Sequence, residues 1–374
     1  TVDGLLLVAG KRWGLRADRV DAGPLLAAAA LSDSMDAGLR RWLLLAKPQA
    51  VLQGVQVVGA QGGAMQAHGT LSGVGFTPVG NAPGLRNLSG RITADANGFA
   101  FIADPKATVD FDWPAGFAMV HPLTLTGRIA GWREGAGWRF GTDSLKVRGA
   151  NFGVHARGGM WFQNDGTRPW IDIAAELDDA PVPAGKGFLV RHLMPDGTER
   201  WLDAALQAGT LHAGRAIVSG DLDDWPFLHE NGLFRADAQL VDATLKFSQE
   251  WPAAEHLNGA ISFVGNGFTV DGSASLAGVD VPHIRAGIAS FREAELTVVA
   301  EGASDASKLV DLLRRSPLNK EHGETLANID ANGPAKVTFD MLLPFHDNLA
   351  GHSKGTVELS GARLREKRWN LAFD

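Results

Sequence analysis

Short stretches in which apolar and polar residues alternate run through most of this chain, and they constrain its fold more than any other feature. A strand turns successive side chains to opposite faces, so such alternation marks a strand with one apolar face. In residues 106–113, Ala107, Val109, Phe111 and Trp113 fall on one side. In 169–177, Ile171, Ile173, Ala175 and Leu177 do the same. Segment 293–300 places Leu296 with Val298; 335–343 places Val337, Phe339, Met341 and Leu343 together; 356–360 places Val357 with Leu359. The opposite positions often carry Thr, Asp, Lys or Glu. Many one-sided strands make an extended apolar surface that something must cover.

Three segments break the rhythm and predict helices. In 34–47, Met35, Leu39, Trp42, Leu43 and Ala46 recur at helical spacing, Ser34 is placed to cap the start and Pro48 to end it. An Ala-rich stretch, 24–31, is a candidate short helix before it. In 196–208, Asp196 and Glu199 have capping-box spacing and Trp201, Leu202, Ala205 and Leu206 form the buried stripe. In 304–315, Leu309, Leu312 and Leu313 face inward, Arg314 and Arg315 suit the C-terminal end of the dipole, and Pro317 stops the helix.

An internal repeat is visible. Residues 83–101 and 252–270 align without gaps and share Pro83/Pro252, Leu88/Leu257, Gly90/Gly259, Ile92/Ile261, Asn97/Asn266, Gly98/Gly267 and Phe99/Phe268. Each copy reads as strand, two-residue Asn-Gly turn, returning strand. Repeated β units point to an elongated, additive architecture. The expected fold is therefore mainly β: an elongated, twisted, mostly antiparallel sheet curled into an apolar groove (β-taco-like), with two or three short helices. The expected division is 1–50 as strand plus helical segment, 51–195 as a first groove unit and 196–374 as a second.

Composition removes several classes of function. The chain of 374 residues carries a net charge of −7 with both signs scattered, which argues against a nucleic-acid partner, since phosphate binding needs a clustered basic surface. There is no cysteine, so disulfides, thiolate nucleophiles and cysteine-ligated metals are excluded. The 46 glycines are spread along the chain, as suits short strands and tight turns. The chain starts at Thr1, and the apolar run 2–9 is too short to span a bilayer. Both ends read as cuts, with any export signal or anchor expected outside this piece.

Residue patterns that carry catalysis or hold a metal are sparse in the sequence. Eleven histidines (His68, His121, His155, His192, His212, His229, His256, His283, His322, His346 and His352) are scattered, with no pair at helical metal-site spacing. Asp221, Asp223 and Asp224 precede Trp225-Pro226-Phe227. Clustered carboxylates can cleave glycosides or hold calcium, but Asp before a turn commonly bonds backbone amides. Gly135-Ala136-Gly137 is followed by Trp138-Arg139-Phe140, a strand pattern, so a hairpin turn is expected there and not a phosphate cradle. No nucleophile elbow or phosphate loop is present. No enzyme activity, cofactor or metal is expected.

A family resemblance enters at 201–317. Trp201-Leu202, Ala205-Leu206, Gly209, Gly220-Asp221-Leu222, Trp225-Pro226-Phe227, Phe234, Trp251-Pro252, Leu257, Gly259, Gly278-Val279 and Ser316-Pro317-Leu318 resemble the central region of the YhdP family, among AsmA-like and TamB-like envelope proteins. Fainter similarity extends through 83–90 and Trp113-Pro114. The landmarks are structural, and none is catalytic. The resemblance implies a periplasmic segment of a protein anchored in the inner membrane through a part outside this chain. It also implies phospholipid movement between the inner and outer membranes, with outer-membrane or envelope proteins met at the far end. Candidate groove-lining residues are Ile92, Phe99, Phe101, Val109, Phe111, Ile171 and Ile173, then Phe263, Phe268, Val270, Leu296, Val298, Val337, Phe339 and Met341. Three rival readings are a tethering scaffold, a carbohydrate-active β-solenoid using Asp221, Asp223 and Asp224, and an outer-membrane barrel, against which the helices and the missing aromatic girdle count.

Overall fold

The computed structural model of the protein describes residues 1–32, 35, 37–117, 119–188, 196–229, 231–345 and 351–373. Two compact units divide the chain. Of the described residues, the first takes 1–178 and 217–233, and the second takes 179–188, 196–216 and 234–373. The chain is mainly β and antiparallel, as the alternation predicts.

In the first unit, β1 (Val2–Asp3), β2 (Leu6–Val8) and β3 (Arg12–Asp21) lead into α1 (Ala22–Ala29) and α2 (Ala37–Ala46). Then come β4 (Gln49–Ala60), β5 (Met65–Phe76), β6 (Gly84–Asp95), β7 (Gly98–Ala103) and β8 (Thr108–Asp112). β9 (His121–Glu134), β10 (Gly137–Arg148), β11 (Gly153–Phe162) and β12 (Trp170–Leu177) follow. Strands β3 to β7 pair in sequence, β7 pairs β9, and β9 to β12 continue as a meander, with β8 extending beside β6 and β9. Asp21 caps α1 by accepting the Gly23 amide. On α2, Leu43 and Ala46 are buried and Trp42 meets the Phe76 ring edge-on, but Leu39 is exposed, so only the C-terminal half of the expected stripe packs. The cap expected at Ser34 lies outside the described residues.

The second unit holds β13 (Ala180–Pro181), a 3₁₀ turn over Val182–Phe188, α3 (Asp196–Ala205) and part of β14 (Leu206–Asp221). Its main sheet runs through β15 (Gly232–Leu245), β16 (Ala254–Val264), β17 (Gly267–Leu276), β18 (Val279–Ile288) and β19 (Glu295–Asp305). After α4 (Ala306–Arg314), α5 (Leu318–Asn328) and β20 (Ile329–Asn332), the sheet resumes with β21 (Pro334–Pro344) against β19 and β22 (His352–Leu359) against β21. β23 (Arg363–Glu366) and β24 (Leu371–Phe373) join β20 in a small separate sheet. α4 packs against β18, β19 and β21, burying Leu309 and Leu312 as expected. Its N-cap is Asp305, whose carboxylate accepts the Ser307 amide. Helix α5 is an addition to the sequence expectation. Pro317 does bar α4 from continuing, but its φ of −57° suits the start of the next helix. α3 ends at Ala205, earlier than expected, because Leu206 already belongs to β14.

The repeat is the same structure twice. In β6–β7, Ala94 faces Phe99 and Ile92 faces Phe101; in β16–β17, Phe263 faces Phe268 and Ile261 faces Val270, at the same offset. The turn differs from expectation by one residue. Its two central residues are Ala96-Asn97 in the first copy and Gly265-Asn266 in the second, and Gly98 and Gly267 already lie in the returning strand. These glycines are needed for closeness: a Cβ on Gly98 would sit 2.3 Å from the Gly131 carbonyl oxygen, and one on Gly267 2.4 Å from that of Ala289. The turn at Gly135-Ala136 is the hairpin expected between β9 and β10.

Candidate functional site

Strand register decides which side chains share a face. In the first unit, Ala94, Phe99, Gly131, Phe140, Met160 and Ile171 form one continuous row across β6, β7, β9, β10, β11 and β12. Gly69, Ile92, Phe101 and Ile129 form the neighbouring row. Ile173 stands opposite Gly158 on the same face, and Val109 and Phe111 continue it through Leu123 and Leu85. All seven residues predicted here therefore share one face. Only Phe101 and Val109 are buried; Ile92, Phe99, Phe111, Ile171 and Ile173 are half-buried. The rings lean on each other, with Phe99 and Phe140 centroids 6.1 Å apart and Phe140 and Phe162 5.5 Å apart. Gly131 makes the first contact possible, since a Cβ there would lie 2.5 Å from the Phe99 ring. The opposite face carries His155, Arg157 and Glu176, with Arg139 lying 5.2 Å over the Trp161 ring.

The second unit repeats the pattern. Phe263, Phe268, Ile288, Leu296 and Leu343 make one row, and Ile261, Val270, Ala286, Val298 and Met341 the next. Phe339 stands opposite Ala300, and Val337 opposite Gly302, on that face. All eight residues predicted here are thus brought together, and Phe268, Val270, Leu296, Val298 and Met341 are buried.

Here the face is covered. α3 lays Trp201, Leu202 and Ala205 over it, and the segment after β15 adds Phe247 and Trp251. Hydrogen bonds clamp these two covers together. The Trp201 indole donates to the Phe247 carbonyl at 2.7 Å and the Lys246 amide donates to the Ala205 carbonyl at 2.9 Å, while Lys246 Nζ, by donating to the Trp251 carbonyl at 2.5 Å, braces the segment itself. Between cover and sheet lies a cavity of about 230 Å³ whose lining side chains are all apolar. A second cavity of about 320 Å³ adjoins it under α4 and α5, sharing Phe247, Ile284 and Val298. Phe263, Phe268, Val270 and Leu296 line the first, Val337 and Phe339 the second, and Val298 both. The sequence places Trp201 on a helix stripe and Trp251 only among the family landmarks, and it gives no sign that Phe247 or Phe291 lines a cavity. The available signal was three large aromatic residues beside, not within, alternating runs.

The acidic cluster is structural in its bonding. Asp221 accepts the Asp223 amide at the start of a 3₁₀ turn, and Asp223 accepts the Arg168 amide at 3.0 Å. His212 and His256 pair with Asp179 and Asp242 in exposed positions, while His121 is buried against the Phe117 ring; His192 and His346 lie outside the described residues. Among the described residues no group of three or more His, Asp or Glu is placed to hold a metal, and no helix is long and apolar enough to cross a membrane.

Comparison with known proteins agrees with the landmarks. The intermembrane phospholipid transporter YhdP of Escherichia coli strain K12 is 23% identical over 290 residues, covering 75% of this chain and 22% of the relative's length. No solved structure matches. The YhdP protein family matches residues 4–374, nearly the whole sequence, and the chain belongs to that family.

Proposed function

We propose that this chain is a periplasmic segment of an envelope-spanning protein that conducts phospholipid between the inner and outer membranes along its apolar sheet faces, without chemistry of its own. The rows of apolar residues that run from strand to strand in each unit, without a polar side chain among them, carry this reading. A two-chain phospholipid exposes about thirty methylenes, and at roughly 0.8 kcal/mol each their transfer into water costs on the order of 24 kcal/mol. A continuous apolar wall offsets most of that at every step. The cavity points the same way. At roughly 24 cal/mol per Å³, leaving about 230 Å³ empty in a core costs on the order of 5 kcal/mol, which an acyl chain would recover. The inner-membrane anchor, and the outer-membrane or envelope proteins at the far end, lie outside this chain in this reading. The similarity to an intermembrane phospholipid transporter supports the choice of cargo.

Native mass spectrometry of the purified chain tests the proposal. Phospholipid should co-purify, and a photoreactive residue at Ile171 or Phe140 should crosslink to it in cells. A lipid-free chain that also fails to crosslink at both positions would refute conduction along the first unit's face.

A further inference from the structure

The two cavities of the second unit differ in polarity, and the difference has a direction. The cavity under α3 is apolar throughout. The adjoining one is apolar where the two meet, at Phe247, Ile284 and Val298, but its wall includes His322 of α5 and Ser353 of β22. β22 is exposed along its length and the His322 side chain is 62% exposed, so these polar groups stand where the cavity meets water. A polar headgroup loses its water on entering the first cavity and finds no hydrogen-bonding side chain there, whereas a hydrocarbon tail loses nothing. We infer that the second unit holds a single acyl chain in a fixed polarity, its methyl end beside Trp201 and Phe268 and its polar end at His322 and Ser353. The inference rests on the lipid-conducting reading and adds a discrete, oriented station to it. The same tail chemistry is presented by a phospholipid and by a free fatty acid.

Two cavity-lining tryptophans report the orientation. Trp201 lines the first cavity and Trp251 the second. Bromine quenches tryptophan fluorescence on contact, so the purified chain is titrated with phosphatidylcholine brominated either near the carbonyl or near the methyl end. Wild type is compared with Trp201→Phe and Trp251→Phe. Methyl-end bromines should give the greater quenching of Trp201, and Trp201→Phe should abolish that excess; carbonyl-end bromines should act mainly on Trp251. Trp201→Phe also removes the bond to Phe247, so Ala286→Phe, which narrows the first cavity and leaves that bond intact, serves as a second variant and should abolish the same excess. The reverse order, or equal quenching by both lipids, overturns the polarity. Quenching that neither Trp variant alters overturns the station but leaves conduction standing, because lipid then binds elsewhere on the chain. No quenching and no bound lipid overturns both. The same order with brominated fatty acid but not with phospholipid keeps the station and overturns phospholipid as the cargo.

Discussion

The two units present the same kind of apolar sheet face to different surroundings. In the first, the face over β6 to β12 stays half-buried except at Phe101 and Val109, and its rings lean together across the close approach Gly131 permits. In the second, α3, the 246–253 segment, α4 and α5 bring further apolar side chains onto it, and among the described residues both clusters of buried apolar side chains lie there. The repeated hairpin makes the contrast sharp. Phe99 and Phe268 occupy the same register position, yet Phe99 is half-buried while Phe268 lies between Trp201 and Phe291, at centroid distances of 6.4 and 5.9 Å. Accessibility is thus decided by what is laid over a strand and not by the strand itself.

The largest expected effect follows from that contrast. Val298 is 4% exposed and lines both cavities, so Val298→Asp buries an unpaired carboxylate and should destabilise the chain by at least about 4 kcal/mol. Ile171→Asp places the same charge on the half-buried face, where water still reaches it, and should change stability by about 1 kcal/mol or less while reducing lipid crosslinking. Urea denaturation of both variants measures the difference. Equal losses would mean that the first unit's face is as closed as the second's.

Truncation should rank next. Leu257 and Leu296 are each 2% exposed in the second unit, and replacing either with Ala should cost about 2–5 kcal/mol. Met160→Ala on the first unit's half-buried row should cost less than either, as a shift in the urea midpoint will register. The glycines shared by the repeats should then behave alike. A Cβ on Gly90 would lie 2.2 Å from the Ile102 carbonyl oxygen, and one on Gly259 2.3 Å from that of Asp271. Each Gly→Ala change should cost about 1–3 kcal/mol by overpacking. A cost in one copy and none in the other would show that the cover, and not the strand pairing, sets the tolerance.

Much of this was legible as one-dimensional pattern. Alternation placed Ile171 with Ile173, and Val337 with Phe339 and Met341, on common faces, because a period of two has a single structural meaning. The repeat carried its register with it. The turn slipped by one residue because Asn97-Gly98 satisfies two demands at once, a turn and a close strand approach, and only the second falls on the glycine. α5 was missed because a proline that ends one helix is equally fit to begin another. The cover was missed for a deeper reason. Nothing in the periodicity around Phe247 or Trp251 says which distant surface they will land on, so the cavities arise from long-range packing and have no local signature.

The smallest effect separates the units through acid. In the second unit, Asp305 accepts from the Ser307 hydroxyl and amide and from the Gly333 amide, and these bonds hold its carboxyl below the usual carboxylate range. In the first, Asp165 is held below that range by the Thr167 hydroxyl and amide. A folded-state pKa below the unfolded one gives stability that is complete above the unfolded value, near about 3.9, and is lost as pH falls through the folded value. Both residues therefore contribute to acid unfolding below about pH 4, and neither matters near neutrality. Their reach differs. Asp165 bonds only within its own turn, whereas Asp305 ties the start of α4 to Gly333, across the helical insertion that covers the second unit's sheet. Asp305→Asn keeps an acceptor but cannot titrate, so its melting temperature should fall less steeply with acid than the wild type's, and Asp165→Asn should follow the wild-type curve more closely. A steeper flattening with Asp165→Asn would place the acid-sensitive contact in the first unit, and the second unit's cover would then not be what acid loosens first.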